Sequence, residues 1–153
     1  MTTIRAAEQK DVKELVKIGR LFFESTILKE FCDYDEITMD HLLSTYIMNE
    51  NCMVFILEAD SKIVGGIMAH ITPVYWNWSV LAAQQLGWFV HPDYRGFHSL
   101  KLIEAYEQWA MDKGAKMIFS GAKTVQGSYE MMDKMLSRRG YATLESVHVK
   151  GVS

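Results

Sequence analysis

Residues 52 to 90 carry three strand-like runs in succession, and no all-helical fold accommodates them. "CMVFILE" is β-branched and apolar, "ADSK" is turn chemistry, and "IVGGIMAHI" resumes the apolar run, so the pair reads as a hairpin. Pro73 ends the second run and "VYWNWS" follows as an aromatic loop. "LAAQQLGWFV" reads as a third strand, stopped by His91-Pro92. Helical spacing lies on both sides. Val12, Leu15, Val16, Gly19, Phe22 and Phe23 mark an amphipathic helix over residues 9 to 24, after a short first strand, "TIRAA". "STILKEFCDYDEI" has no clean period and reads as a loop. Thr38 stands as the N-cap of a second helix with the stripe Met39, Leu42, Leu43, Tyr46 and Ile47. Beyond the third strand, Leu102, Ile103, Tyr106, Trp109, Ala110 and Lys113 recur at helical spacing until Gly114 closes the helix. "AKMIFS" predicts a short strand, residues 127 to 139 a last helix, and "YATLESVHVK" a final alternating strand. The order β-α-α-β-β-β-α-β-α-β is that of an α/β fold, a mixed sheet with one long crossover.

No repeat, linker or low-complexity tract divides the 153 residues, so residues 1–153 read as a single domain, long enough to bury about 70% of its unfolded surface. A net charge of −3 argues against bulk electrostatic binding to nucleic acid or an anionic membrane. The polar start "MTTIRAAEQKDV" has no signal-peptide character, and the apolar runs are too short for a spanning helix. Cys32 and Cys52 have no metal-ligand spacing, and no carboxylate–histidine cluster supplies one, so no metal is expected. Two reduced thiols point to a cytoplasmic protein, the alternative being a disulfide between them. Ten methionines, spread over the helices, suit gap-filling in a core.

The strongest local signal for chemistry is the strand–bend–helix unit over residues 81 to 113. A helix N-terminus presents free backbone N–H groups and the positive end of its dipole, which favours an anion. Arg95 adds a permanent charge with donors arranged for phosphate oxygens, and Gly96 lets backbone approach a ligand closely. A plain surface turn with a solvated arginine is the other reading of the bend taken alone.

"LGWFVHPDYRGFHSLKLIEAYEQWAMDKGAKMI" and the later "LSRRGY", in this order of elements, resemble the GNAT superfamily of acetyl-CoA-dependent N-acetyltransferases. The resemblance covers nearly the whole chain. It is most specific at Pro92, Tyr94, Arg95 and Gly96. His98 and Leu100 replace the family's later small residues, as in divergent members, several of them phage-encoded. The resemblance implies a largely antiparallel mixed central sheet flanked by helices, acetyl-CoA as co-substrate, and direct attack by an amine in a ternary complex. The amine is a small molecule or a protein group, and a homodimer is compatible. Trp88 and Val90 would offer backbone groups to the pantetheine arm. Arg95, Gly96, Phe97, His98, Ser99 and Leu100 would wrap the pyrophosphate through backbone N–H groups.

The same resemblance points to the catalytic candidates. Many members carry a glutamate base four residues before the position of Trp88. Here that residue is Gln84, expected to share a strand face with Trp88 and to orient a water or the substrate, or to be only a polar side chain on a half-exposed strand. Leu136 stands where a tyrosine acid is frequent, and Tyr129, two helical turns earlier on nearly the same face, is the nearest substitute or a packing residue. His70 is a base if it faces the cleft and structural otherwise; histidine as a class titrates near neutrality. His91 reads as a surface cap, and "VYWNW" as an aromatic wall for the acceptor or as packing. A non-catalytic CoA-binding or protein-interaction module of the same fold is the alternative function. A nicotinamide-dinucleotide protein lacks its opening fingerprint here.

Overall fold

The middle of the chain pairs into a long antiparallel meander, seen in a computed structural model that describes residues 1–122 and 129–152. Strands β1 (Thr2–Ala6), β2 (Cys52–Ala59), β3 (Lys62–Val74), β4 (Asn77–Val90) and β5 (Met117–Phe119) form one sheet in the order β1-β2-β3-β4-β5. The first four are antiparallel neighbours, and β5 is parallel to β4. Helices α1 (Val12–Glu24) and α2 (Glu36–Met48) cover one face, α3 (Phe97–Asp112) and α4 (Tyr129–Arg138) the other. The first two residues of the helix expected over 127–139 lie outside the described residues.

Local chemistry explains most boundaries. The expected "ADSK" turn is a two-residue loop, Asp60 and Ser61, both at positive φ, between the paired Ala59 and Lys62. The α2 cap differs from expectation. Asp35 is the N-cap, its carboxylate accepting from the backbone N–H of Thr38 at 3.1 Å and from the Thr38 hydroxyl. A carboxylate three residues upstream outcompetes a hydroxyl as acceptor, which leaves Thr38 inside the first turn. Gly114, at φ 80, closes α3 as expected, with Ala115 N–H donating to Ala110 C=O.

Two further expectations are corrected. "VYWNWS" is the tip of the β3–β4 hairpin, with only Tyr75 and Trp76 in the turn, because the ladder continues through Val74 and Asn77. Tyr75, Trp76 and Trp78 are exposed instead of packed. "YATLESVHVK" forms no strand, and Leu144, Val147 and Val149 are exposed. Alternation supplies strand propensity, but a strand also needs an edge to pair with, and β5 offers three residues.

Two features of β4 position everything that follows. Ala69 pairs with Gln85 but Met68 pairs with Gly87, so Leu86 is an extra residue, a β-bulge. A bulge inverts the alternation: Gln84 is the register partner of His70, and Trp88 the partner of Ile67. Ile67, Ala69, Ala83, Trp88 and Val90 pack with Leu102, Ile103 and Tyr106 of α3. Met68, on the other face, packs with Leu15 of α1 and Leu43 of α2. The second feature is that β5 pairs with β4 only from Ala82–Met117 to Gln84–Phe119. Among the described residues, that edge of β4 has no strand partner from Gln85 to Val90.

Helix α3 is seated by its apolar stripe, in which Leu102, Ile103, Tyr106 and Ala110 are fully buried. The Tyr106 hydroxyl donates to Phe119 C=O at 2.8 Å, tying the helix to the tip of β5. Burial pushes the Tyr106 phenol well above its usual range, so it stays a neutral donor. Tyr106→Phe is therefore expected to cost about 1–2 kcal/mol, lowering the melting temperature by roughly 2–8 °C. A thermal scan with an unchanged melting temperature would show that the bond carries no stability.

Candidate active site

The fork between β4 and β5 opens on the α3 side into a cleft with about 670 Å³ of empty space, its open mouth included. Trp88 and Val90 form its floor, Arg95, Gly96, Ser99 and Leu100 one wall, and Met131, Met132 and Met135 of α4 the opposite wall. Phe22 reaches it from α1 and stacks on Phe89, ring centroids 5.7 Å apart. The apolar lining suits the hydrocarbon part of a ligand, and the polar groups gather at one end.

That end is built by the bend. His91 caps a single turn, Pro92–Tyr94, by accepting from Asp93 N–H through Nδ1 at 3.3 Å. Arg95 then folds back, and its Nε donates to Val90 C=O at 2.9 Å. Among the described residues its two terminal nitrogens make no hydrogen bond, so they remain to meet an anion. Gly96 sits at φ 105, ψ −132, a conformation that side chains other than glycine resist, and it is the N-cap of α3. No heavy atom lies within 4 Å of where its Cβ would stand. The glycine is required by its dihedrals, and the space it leaves opens onto the unpaired first N–H groups of α3. Ser99 N–H bonds to Gly96 C=O at 2.9 Å, so the free donors precede it.

The sequence-derived candidates separate into groups. Trp88, Val90, Arg95, Gly96, Ser99 and Leu100 converge on the cleft. Phe97 is 70% exposed and lies outside it. His98 turns to β1, where its Nδ1 meets Thr2 Oγ1 at 3.0 Å. Neither is among the residues that line the cleft. Tyr129 is the first residue of α4 and is exposed, not among the cleft-lining side chains. Leu136 is buried in the core beneath α3. Gln84 does not share a face with Trp88, because the Leu86 bulge turns it to the α1/α2 face beside His70.

Gln85 is the residue that sequence reasoning missed. It lines the cleft and bridges the fork just beyond the last β4–β5 pair. Its Oε1 accepts from the Ser120 hydroxyl and from Gly121 N–H at 3.4 Å, and its Nε2 donates to Gly121 C=O at 3.3 Å. Without knowledge of the bulge, no signal selects it over Gln84. The cleft methionines had been legible only as core filling. Among the described residues no three His, Cys, Asp or Glu side chains are grouped to hold a metal ion. No helix among them is long and apolar enough to cross a membrane.

Comparison with solved structures finds this architecture repeatedly. An aminoglycoside acetyltransferase, meta-AAC0020, from an uncultured soil metagenomic sample superposes with a TM-score of 0.72 at 23% identity, covering 99% of this chain and 96% of that one. The aminoglycoside N-acetyltransferase AAC(6')-Iy, solved with CoA, gives 0.76 at 18% identity, covering 98% and 93%. A ribosomal-protein-alanine N-acetyltransferase from Brucella melitensis biovar Abortus 2308 gives 0.74 at 18% identity, covering 99% of both chains. At these identities the likeness is one of fold. No curated protein sequence matches the chain significantly. The sequence model of the Acetyltransferase (GNAT) family matches residues 17–141. That match, with the open fork and the Arg95–Gly96 bend at its mouth, establishes that the chain belongs to the GNAT acetyltransferases, enzymes that move acetyl from acetyl-CoA to an amine.

Proposed function

We propose that the cleft takes acetyl-CoA with its pyrophosphate at the start of α3, its pantetheine arm along the free edge of β4, and its thioester at the fork beside Gln85. The observation that carries this reading is the unpaired edge from Gln85 to Val90, lying directly under a helix N-terminus that carries Arg95. An amide-bearing arm can satisfy strand-edge groups much as another strand does, while α3 and Arg95 supply donors to phosphate oxygens. Acetyl-CoA supplies an activated acyl carbon. The protein's part is to fix that carbon, exclude water with the apolar walls, and present an unprotonated amine. A purely non-catalytic module is disfavoured by family membership and by the preserved open fork.

The acceptor we favour is a small cationic amine. The segment between α1 and α2 carries Glu30, Asp33 and Asp35 against a single Lys29, and it follows directly on α1, whose Phe22 borders the cleft. Solved neighbours named as aminoglycoside acetyltransferases support the same class. Cys32 and Cys52 are free thiols, which suits a reducing cytoplasm.

Two experiments test this reading. Calorimetric titration with CoA is expected to find Arg95→Ala weaker by roughly ten- to a hundred-fold, since charge-assisted hydrogen bonds are lost. His98→Ala should hardly change the affinity, because its imidazole is engaged with Thr2. Equal losses in the two variants would mean that the His98 side chain contacts the ligand and that the backbone account is wrong. Thioester turnover should then be measured with spermidine, a deoxystreptamine aminoglycoside, a lysine peptide and a free N-terminal peptide. The first two are expected to be acetylated fastest; turnover confined to the peptides would reject the small-amine reading.

A further inference from the structure

The face of the sheet opposite the cleft holds a polar row that the reading above leaves unused. Cys52 of β2, His70 of β3 and Gln84 of β4 are consecutive register partners, and Gln84 in turn pairs with Phe119 of β5. Side chains of register partners stand about 4.5–5.5 Å apart on one face. Tyr46 comes down on this row from α2, with its hydroxyl 3.0 Å from His70 Nδ1 and its ring edge-on to the imidazole. The row ends at the last β4–β5 pair. Its last member, Gln84, directly precedes the cleft-lining Gln85 and faces the other side of the sheet.

A base is needed there and no carboxylate provides one. Amines reach an enzyme largely as ammonium ions, and attack on the thioester requires a free lone pair. Gln84 occupies the expected position of the base and cannot take a proton. Its cross-strand partner can.

Resting on the acetyl-transfer reading of the cleft, we propose that His70, held by Tyr46 and set beside Gln84, is the catalytic base, and that the acceptor amine enters from the α1/α2 face. In the competent tautomer Nδ1–H donates to the Tyr46 oxygen, and Nε2, which makes no hydrogen bond among the described residues, holds the lone pair. Nε2 takes one proton from the ammonium. The amine nitrogen then forms the bond to the acetyl carbon, the C–S bond breaks with its electron pair leaving on sulfur, and the second amine proton ends on the thiol. The imidazolium returns its proton to solvent. Gln84 orients the acceptor with its amide.

The titratable groups facing His70 are Tyr46 from α2 and Cys52 from β2; β4 contributes only the neutral Gln84. Burial pushes both the Tyr46 hydroxyl and the Cys52 thiol upward, so both stay uncharged at neutral pH.

The test uses the purified full chain, with acetyl-CoA and whichever of the four panel amines the wild type acetylates fastest. Wild-type kcat/KM should rise through the imidazole range and level off while the amine is still an ammonium ion. His70→Gln should lower kcat/KM by about 10²–10⁴-fold at neutral pH. Its remaining rate should climb tenfold per pH unit toward the amine's own pKa. CoA affinity by calorimetry should not move, because the cofactor cleft is on the other face. Tyr46→Phe is the positioning control, with a smaller rate loss and a displaced imidazole titration measured directly by NMR. Wild-type turnover and an unaltered pH profile in folded His70→Gln would overturn the proposal and leave acetyl transfer standing. An NMR titration of His70 that does not coincide with the acid limb would also overturn it. Failure of the wild type to acetylate any of the four amines would remove both readings together.

Discussion

Everything functional in this protein depends on the place where β4 and β5 stop pairing. Three register pairs hold them together, and among the described residues the edge of β4 beyond Gln84 has no strand partner. Bare edges are normally covered or charged, because unpaired backbone groups recruit other strands. Here the exposed stretch Gln85–Val90 lies under α3 and α4, so the groups are shielded from other chains while remaining open to a slender ligand. The fork is a deliberate gap in an otherwise continuous ladder.

Keeping that gap open without weakening the sheet requires α3 to be rigid and well placed. Four fully buried side chains and the Tyr106–Phe119 bond fix the helix against β4 and β5. Its N-terminus is set by a sharp bend. Arg95 folds back on Val90 C=O, and Gly96 takes a conformation that would strain any other residue. The anion-binding donors and the strand edge are thereby held by neighbouring residues of one chain segment. His98 and Leu100 already belong to the helix and need no special dihedrals, so Gly96 is the one residue of the bend at positive φ.

The bulge at Leu86 does a second job. It sends Gln85 to the cofactor face and Gln84 to the opposite one, so two adjacent and chemically identical residues border different compartments. The polar row of Cys52, His70 and Gln84 lies under α2, whereas the cleft is lined by α3 and α4.

Periodicity placed the first three helices, because burial of an apolar face leaves its period in the sequence, while composition and turn chemistry placed the first hairpin and the closing glycine of α3. The Arg95–Gly96 bend was legible too, since a permanent charge and a φ-permissive residue before a helix advertise an anion site. Three things were not. Alternation in residues 141 to 150 predicted a strand, but strand formation is a property of pairs, and the partner edge is only three residues long. Tyr75, Trp76 and Trp78 read as an acceptor wall or as packing, yet they are exposed at a hairpin tip. The roles of Gln84 and Gln85 could not be told apart, because a bulge has no composition of its own: it arises from how β4 must bend to follow β3. The amino acids by themselves determined most of the helices and strands and the glycine-bearing bend before α3. Which face each strand residue meets, and so which glutamine lines the fork, was decided by tertiary register, because a single inserted residue reverses every side chain beyond it.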